Sequence, residues 1–193
     1  MQFMPAGALE WRQRPNIAGA TGKVLGIARG DELGVRVVND LAEPTSVHWH
    51  GVRLPNAMDG VPGLTQAPIA PGTSFDYRFR PPDAGTFWYH AHIGAQVDRG
   101  LYAALIVEEA RPVDVDRGIV LMFAVSAGAG GSPAPVLVNG SPRPDVPVRS
   151  GERLRLRLID RSSVSFFTID ATVILLSTSV CSAISFQGPP PLR

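Results

Sequence analysis

Two short histidine motifs contain the side chains of this sequence that are best suited to chemistry. All four histidines of the chain fall into two His-x-His pairs, His48–His50 and His90–His92. Apolar, aromatic and β-branched residues surround both pairs, which predicts that each pair lies on a β-strand. Residues i and i+2 of a strand point to the same face, roughly 6.5–7 Å apart. If the two strands are neighbours, four imidazoles converge, and we predict a metal site there.

Other interpretations of these residues stay open at this level. Histidines beside aromatic residues are often ordinary core or surface residues, and a single zinc or copper ion bound by all four histidines is a second alternative. Taken alone, Asp59 in Met-Asp-Gly is a typical turn residue. Trp49, Trp88 and Tyr89 are most simply interpreted as aromatic residues of a hydrophobic core.

The rest of the sequence indicates an all-β protein that would position these strands. Its 193 residues include 20 glycines and 18 prolines, a composition typical of many strands joined by turns. Apolar alternation at intervals of 8–12 residues predicts a β-sandwich or barrel. A glycine turn at residues 29–32 predicts that 23–40 form a hairpin. Further strands are predicted at residues 74–80, 86–92 and 101–107.

The segment 51–71, rich in glycine and proline, starts directly at the first histidine pair. A loop of this composition and position can fold back over the predicted metal site. It contains Asp59, which makes that residue a candidate neighbour of the histidines.

A second unit starts near residue 110, which divides the chain into domains 1–109 and 110–193. Strands are predicted at 118–125 and 136–138, and a second hairpin at 146–159 around a turn at 150–152. This turn and the one near residue 30 each open an alternating strand, which favours a repeated sandwich. From about residue 170 the pattern becomes atypical, and we expect the second domain to be incomplete.

Charge and cysteine content exclude several function classes. The net charge of +1 comes from interspersed residues, so we expect no nucleic-acid partner. One cysteine, Cys181, allows neither an internal disulfide nor a cysteine-rich metal site. No apolar segment is long enough for a membrane span. The first 22 residues lack the pattern of a secretory signal peptide, so the chain is either cytoplasmic or starts downstream of its true N-terminus.

Residues 23–170 resemble the N-terminal part of a laccase-like multicopper oxidase of the bacterial three-domain type. The motifs that carry this resemblance are His-Trp-His-Gly at 48–51, Met-Asp-Gly-Val-Pro-Gly-Leu-Thr-Gln at 58–66 and Thr-Phe-Trp-Tyr-His-Ala-His at 86–92. Gly-Ala-Gln at 94–96 and the apolar segment 100–107 extend it. Residues 138–140 and 148–153 resemble the opening of the family's second cupredoxin domain. The resemblance implies a cupredoxin-like Greek-key β-sandwich followed by part of a second one.

The resemblance also implies a function and a role for each site residue. His48 would be a ligand of the type 2 copper of a trinuclear cluster, and His50, His90 and His92 would be ligands of its type 3 coppers. Asp59 would hydrogen-bond near this cluster and help to supply protons. The complete enzyme would take electrons from a reducing substrate and reduce dioxygen to water. By the same resemblance, we expect a periplasmic or extracellular location.

The sequence departs from the family pattern in two ways. It has no histidine after His92, so the family's blue-copper motif and the other four cluster ligands are missing. We therefore expect an oxidase part that is active only with a missing C-terminal domain or in a homo-oligomer. The alternative is a non-catalytic copper-binding or assembly module, or an inactive truncated fragment.

Overall fold

The computed structural model of this chain consists of β-strands joined by turns. In the described ranges, the only helical elements are two 3₁₀ turns, Asn56–Met58 and Gly94–Gln96, so the all-β prediction is confirmed. The chain divides into two compact units, Met1–Val113 and Asp114–Arg193. The structure describes residues 8–11, 23–125, 136–142, 146–161, 172–173 and 182–185.

In its described residues, the first unit has seven strands in two sheets. A three-stranded sheet has the order β1-β3-β5, and a four-stranded sheet has the order β2-β7-β6-β4. The second of these carries His48 and His50 on β4 and His90 on β6, and His92 follows directly after β6. The strands are β1 (Ala8–Trp11), β2 (Leu25–Ala28), β3 (Leu33–Asn39), β4 (Val47–His50), β5 (Ser74–Phe79), β6 (Gly85–Ala91) and β7 (Tyr102–Glu108).

The core of this unit is built from alternate residues of both sheets. On β3, Leu33, Val35 and Val37 are buried while the residues between them are more exposed, as expected for a strand with one face on a core. From the other sheet, Trp49 and Tyr89 contribute fully buried rings. One face of the β4–β6 pair therefore belongs to the core, and the opposite face is free to carry other chemistry.

The predicted hairpin at 23–40 is wrong, although both of its strands are present. β2 runs parallel to β7, with Leu25 opposite Leu105, whereas β3 pairs with β1 and β5 of the other sheet. Gly30, with a φ of 92°, reverses the chain as expected. A glycine turn fixes this local reversal but does not decide which sheet each strand joins, and here the chain crosses from one sheet to the other.

The second unit shows the same departure from its predicted hairpin. Its described strands form two three-stranded sheets, β11-β8-β9 and β10-β13-β12, so the two strands that flank Gly151 again lie in different sheets. Buried residues of β8, β9 and β10 form its core cluster. The strands are β8 (Arg117–Val125), β9 (Val136–Val138), β10 (Val146–Val148), β11 (Leu154–Asp160), β12 (Thr172–Val173) and β13 (Ser182–Ser185).

Further expectations concern the borders and the ends of the chain. The domain border after residue 109 and the incomplete second domain stay predictions, and Cys181 lies outside the described residues. Most of the atypical tail from residue 170 lies outside them as well. Across the described ranges, no helix is long and apolar enough to cross a membrane.

Candidate metal centre

Strand pairing brings the two histidine motifs together. β4 and β6 are antiparallel neighbours, and their register places His48 directly opposite His90 and His50 opposite Trp88. Because side chains alternate along both strands, all four histidines lie on one face, opposite to the core face with Trp49 and Tyr89. The predicted convergence of the four imidazoles on one patch is confirmed by the ring-to-ring distances, which are 5.4–5.6 Å from His48 to each of the other three.

Three of the four rings form a compact set of nitrogen donors. Ligand atoms of His48, His50 and His90 all lie within 4.8 Å of one another. The shortest distance joins His50 Nδ1 to His90 Nε2, at 3.4 Å. Two nitrogens that bind one ion at about 2.0–2.1 Å and a tetrahedral angle are separated by roughly 3.3–3.4 Å, so this pair fits one metal ion. His92 lies next to His90, with its ring centre 5.8 Å away, but outside the set of three.

Hydrogen bonds to backbone carbonyls orient two of these rings. His48 Nδ1 lies 2.8 Å from the carbonyl oxygen of Asp59, and His90 Nδ1 lies 2.9 Å from that of Ala91. A carbonyl only accepts, so each Nδ1 carries the proton and donates it, which leaves Nε2 with a lone pair for a metal. This arrangement, in which a second atom fixes the tautomer of a histidine ligand, is common in metal sites.

The environment also keeps imidazoles of this patch neutral. Burial lowers the pKa of His90 to about 4, against the opposing effect of its hydrogen bond to Ala91. Burial also lowers the pKa of His50, and the neighbouring His48 and His92 lower it further by charge repulsion. A protonated imidazole cannot bind a metal ion, so depressed pKa values leave these donors available at neutral pH.

The loop that follows β4 folds back onto the histidine face, as its position and composition predicted. Its Asp59 carbonyl receives the His48 hydrogen bond, and the Asp59 carboxylate oxygen Oδ1 lies 3.3 Å from the same nitrogen. The next residue, Gly60, is buried with a φ of 79°. A Cβ at Gly60 would lie 1.8 Å from the Val47 carbonyl oxygen, so only glycine allows the loop to approach β4 this closely.

The buried side-chain amide of Gln96 joins the segment before His48 to the segment after His92. Gln96, fully buried after β6, accepts a hydrogen bond from Thr45 Oγ1 at 2.7 Å and donates to the Pro44 carbonyl at 2.8 Å. Its amide also donates to Glu43, which forms an ion pair with Arg99. The segment before His48 and the segment after His92 are thereby fixed to each other.

Trp88 lies on the histidine face, and its assignment to the core is wrong. Trp49 and Tyr89 are fully buried in the core as predicted, but Trp88 is half-buried and stacks on His50 and His90. The sequence contains evidence for this placement, because residue 88 is two and four positions from residues 90 and 92, and on a strand such side chains point to the same face. Gln96 had no comparable signal, since one glutamine in a polar loop does not reveal its distant partners.

Comparisons with known proteins agree with this arrangement. Residues 18–112 match the sequence profile described as "Multicopper oxidase". Multicopper oxidase MmcO of Mycobacterium tuberculosis is 47% identical over 106 residues, which cover 54% of this chain and 21% of that protein. Copper resistance protein A of Escherichia coli is 44% identical over 108 residues, covering 55% of this chain and 18% of that protein. The chain thus spans about a fifth of these curated relatives.

A solved structure extends the likeness to nearly the whole chain. The crystal structure of Lac15 from a marine microbial metagenome superimposes with a TM-score of 0.68 at 32% identity, covering 95% of this chain and 60% of that one. The fold is therefore the cupredoxin-like β-sandwich of copper oxidases. Sequence and structure together show that this chain belongs to the multicopper oxidase family.

Proposed function

We propose that this chain is the copper-binding N-terminal part of a multicopper oxidase. In the complete protein it would couple one-electron oxidation of a reducing substrate to the four-electron reduction of dioxygen to water. Bound copper would supply the electron transfer, while the residues described above hold, orient and partly shield it. The observation that carries this proposal is the preformed set of imidazole nitrogens of His48, His50 and His90, within 4.8 Å of one another.

The donor set suits copper. Neutral imidazole is a good copper ligand, and the carbonyls of Asp59 and Ala91 fix two rings with Nε2 available. In our proposal His48 binds the type 2 copper, and His50, His90 and His92 bind the type 3 coppers. The position of His92 outside the set of three supports a site for more than one ion over a single ion held by all four rings.

Asp59 is proposed to assist proton supply during oxygen reduction. Its carboxylate lies beside His48 and is about one-third exposed, so it can exchange protons with water while it stays close to the ligands. The remaining ligands would come from a further domain of the complete protein or from a second copy of the chain. A periplasmic or extracellular location is proposed from the family resemblance.

Copper loading of the purified chain tests the proposal. We expect uptake of about one copper or more per chain, with a type 2 EPR signal and no intense blue absorption. The double variant His48→Asn/His90→Asn should lose this uptake. Arg36→Ala is a matched control, because Arg36 lies exposed on the other sheet, where its guanidinium pairs with Asp76. Equal copper uptake by the wild type and the double variant would contradict the proposal.

A second candidate is a non-catalytic copper-binding module. It is favoured by the same three-nitrogen set, which is sufficient for one tightly held ion without His92. An oxidation assay with a reducing substrate and the copper-loaded chain separates the two functions. Turnover above that of free copper would exclude the module, whereas one bound copper without turnover would favour it.

A further inference from the structure

The ligand rings of the candidate centre are not all held in the same way. His48 and His90 each donate from Nδ1 to a backbone carbonyl, which fixes their tautomer and ring orientation. His50 has no such bond to a carbonyl or carboxylate in the described part of the chain, and its only hydrogen-bond contact there is with His90 Nε2. It is also exposed, so water alone would leave its ring free to flip.

The indole of Trp88 is the neighbour that can hold His50. Strand register places Trp88 directly opposite His50, and the two rings stack with centres 4.8 Å apart and planes 29° apart. The same indole stacks on His90, at 4.3 Å and 27°. One rigid aromatic surface therefore contacts both rings whose nitrogens approach to 3.4 Å.

We propose that Trp88 is a positioning residue that orients His50, in the role that backbone carbonyls have for His48 and His90. Its indole covers one side of the His50 ring and holds that ring in its plane, so that the Nδ1–H of His50 can donate to the lone pair of His90 Nε2. This proposal concerns the copper ligands and so rests on the proposed function, but the ring orientation itself exists without metal.

The test uses variants of the full chain. Trp88→Leu removes the aromatic plane, and Trp88→Phe keeps a smaller one. Phe87→Leu is the matched control, because Phe87 is the adjacent residue of β6 but packs on the core cluster. Nitrogen-15 NMR of the copper-free protein reports the tautomer of each histidine, and competition with a chelator gives the Kd for Cu(II).

In the copper-free wild type and in Phe87→Leu, we expect His50 in one tautomer, with the proton on Nδ1, where it is donated to His90 Nε2. Trp88→Leu should show exchange between two ring states and bind Cu(II) roughly 10–100-fold more weakly, the usual effect of losing a group that orients a metal ligand. Trp88→Phe should fall between them. The wild-type spectrum is decisive even if a variant does not fold, since a His50 that already exchanges between tautomers there overturns the proposal.

An unchanged Kd and unchanged His50 resonances in Trp88→Leu would also overturn it. Failure of the proposed function would give a different result from failure of the Trp88 proposal. In that case the wild type takes up no copper, while the metal-free spectra of the wild type and Trp88→Leu still decide whether Trp88 orients His50.

Discussion

The two faces of the β4–β6 strand pair share a backbone but follow different physical rules. On the core face, Trp49 and Tyr89 are fully buried, and their rings lie 5.4 Å apart in apolar surroundings. On the other face, which carries the four histidines, His50 and Trp88 stack at 4.8 Å with partial exposure to water. The core face stabilises the fold by burial, and the stable strand pair in turn holds the polar rings of the histidine face in one orientation.

This separation means that the rigidity of the site comes from groups other than the four histidine rings. The core aligns the strands, the loop at 59–60 fixes His48, and Gln96 joins the segments beyond both histidine motifs. Substitutions on the two faces should therefore have distinct signatures. Substitutions in the core should lower the free energy of unfolding and leave the copper affinity unchanged. Substitutions on the histidine face should weaken copper binding and leave the free energy of unfolding nearly unchanged.

Gly60→Ala should have the largest effect, because it disrupts both faces. Its Cβ would meet the Val47 carbonyl at 1.8 Å, and alanine disfavours a φ of 79°. We expect a loss of roughly 2–5 kcal/mol of unfolding free energy from the clash and the left-handed backbone, together with weaker copper binding. Chemical denaturation and a copper titration measure the two effects.

Gly63→Ala is the matched control for this substitution. Gly63 has a similar φ of 74°, but no atom lies within 4 Å of its Cβ position. It should lose only about 1–2 kcal/mol for the left-handed conformation and keep its copper affinity. Equal effects of the two substitutions would show that backbone conformation, rather than the close approach to β4, explains Gly60.

Trp49→Phe tests the core face with an intermediate effect. The smaller ring leaves space among Tyr77, Phe79 and Tyr89, which destabilises the fold. The indole Nε1 of Trp49, however, is buried with no hydrogen-bond partner in the described ranges, and its removal offsets part of the cost. We expect a net loss of about 1–2 kcal/mol, with an unchanged copper Kd and EPR spectrum. A weaker Kd with wild-type stability would contradict the separation of the two faces.

The sequence predicted the site better than the connections between strands. Alternation with a period of two is a local rule, and it correctly placed His48, His50, His90 and His92 on one face. The same rule places Trp88 beside them, whereas its aromatic character alone favours the core. Both predicted hairpins were wrong because the turns at Gly30 and Gly151 do not encode which sheet the next strand joins.

The contacts that complete the site depend on residues far apart in the chain. Gln96 meets Thr45 across 51 positions, and Asp59 reaches His48 only because Gly60 lets the loop approach β4. No periodic pattern encodes such pairs, and hydrogen-bond partners of this kind become visible only when the fold is known.

Asp59→Asn should have the smallest effect on copper affinity. It separates the role of the Asp59 backbone carbonyl from that of the Asp59 carboxylate. The shorter contact to His48 Nδ1 comes from the backbone carbonyl, at 2.8 Å, while the carboxylate oxygen lies at 3.3 Å. The substitution keeps that carbonyl and the size of the side chain, so we expect the Kd for Cu(II) to rise by less than about tenfold.

The carboxylate would then matter for proton supply, and oxygen reduction by the complete protein should slow by a larger factor than the Kd rises. A chelator titration of this chain and an oxygen-consumption assay of the complete protein measure the two quantities. If affinity falls as strongly as in His48→Asn, the carboxylate rather than the backbone orients His48.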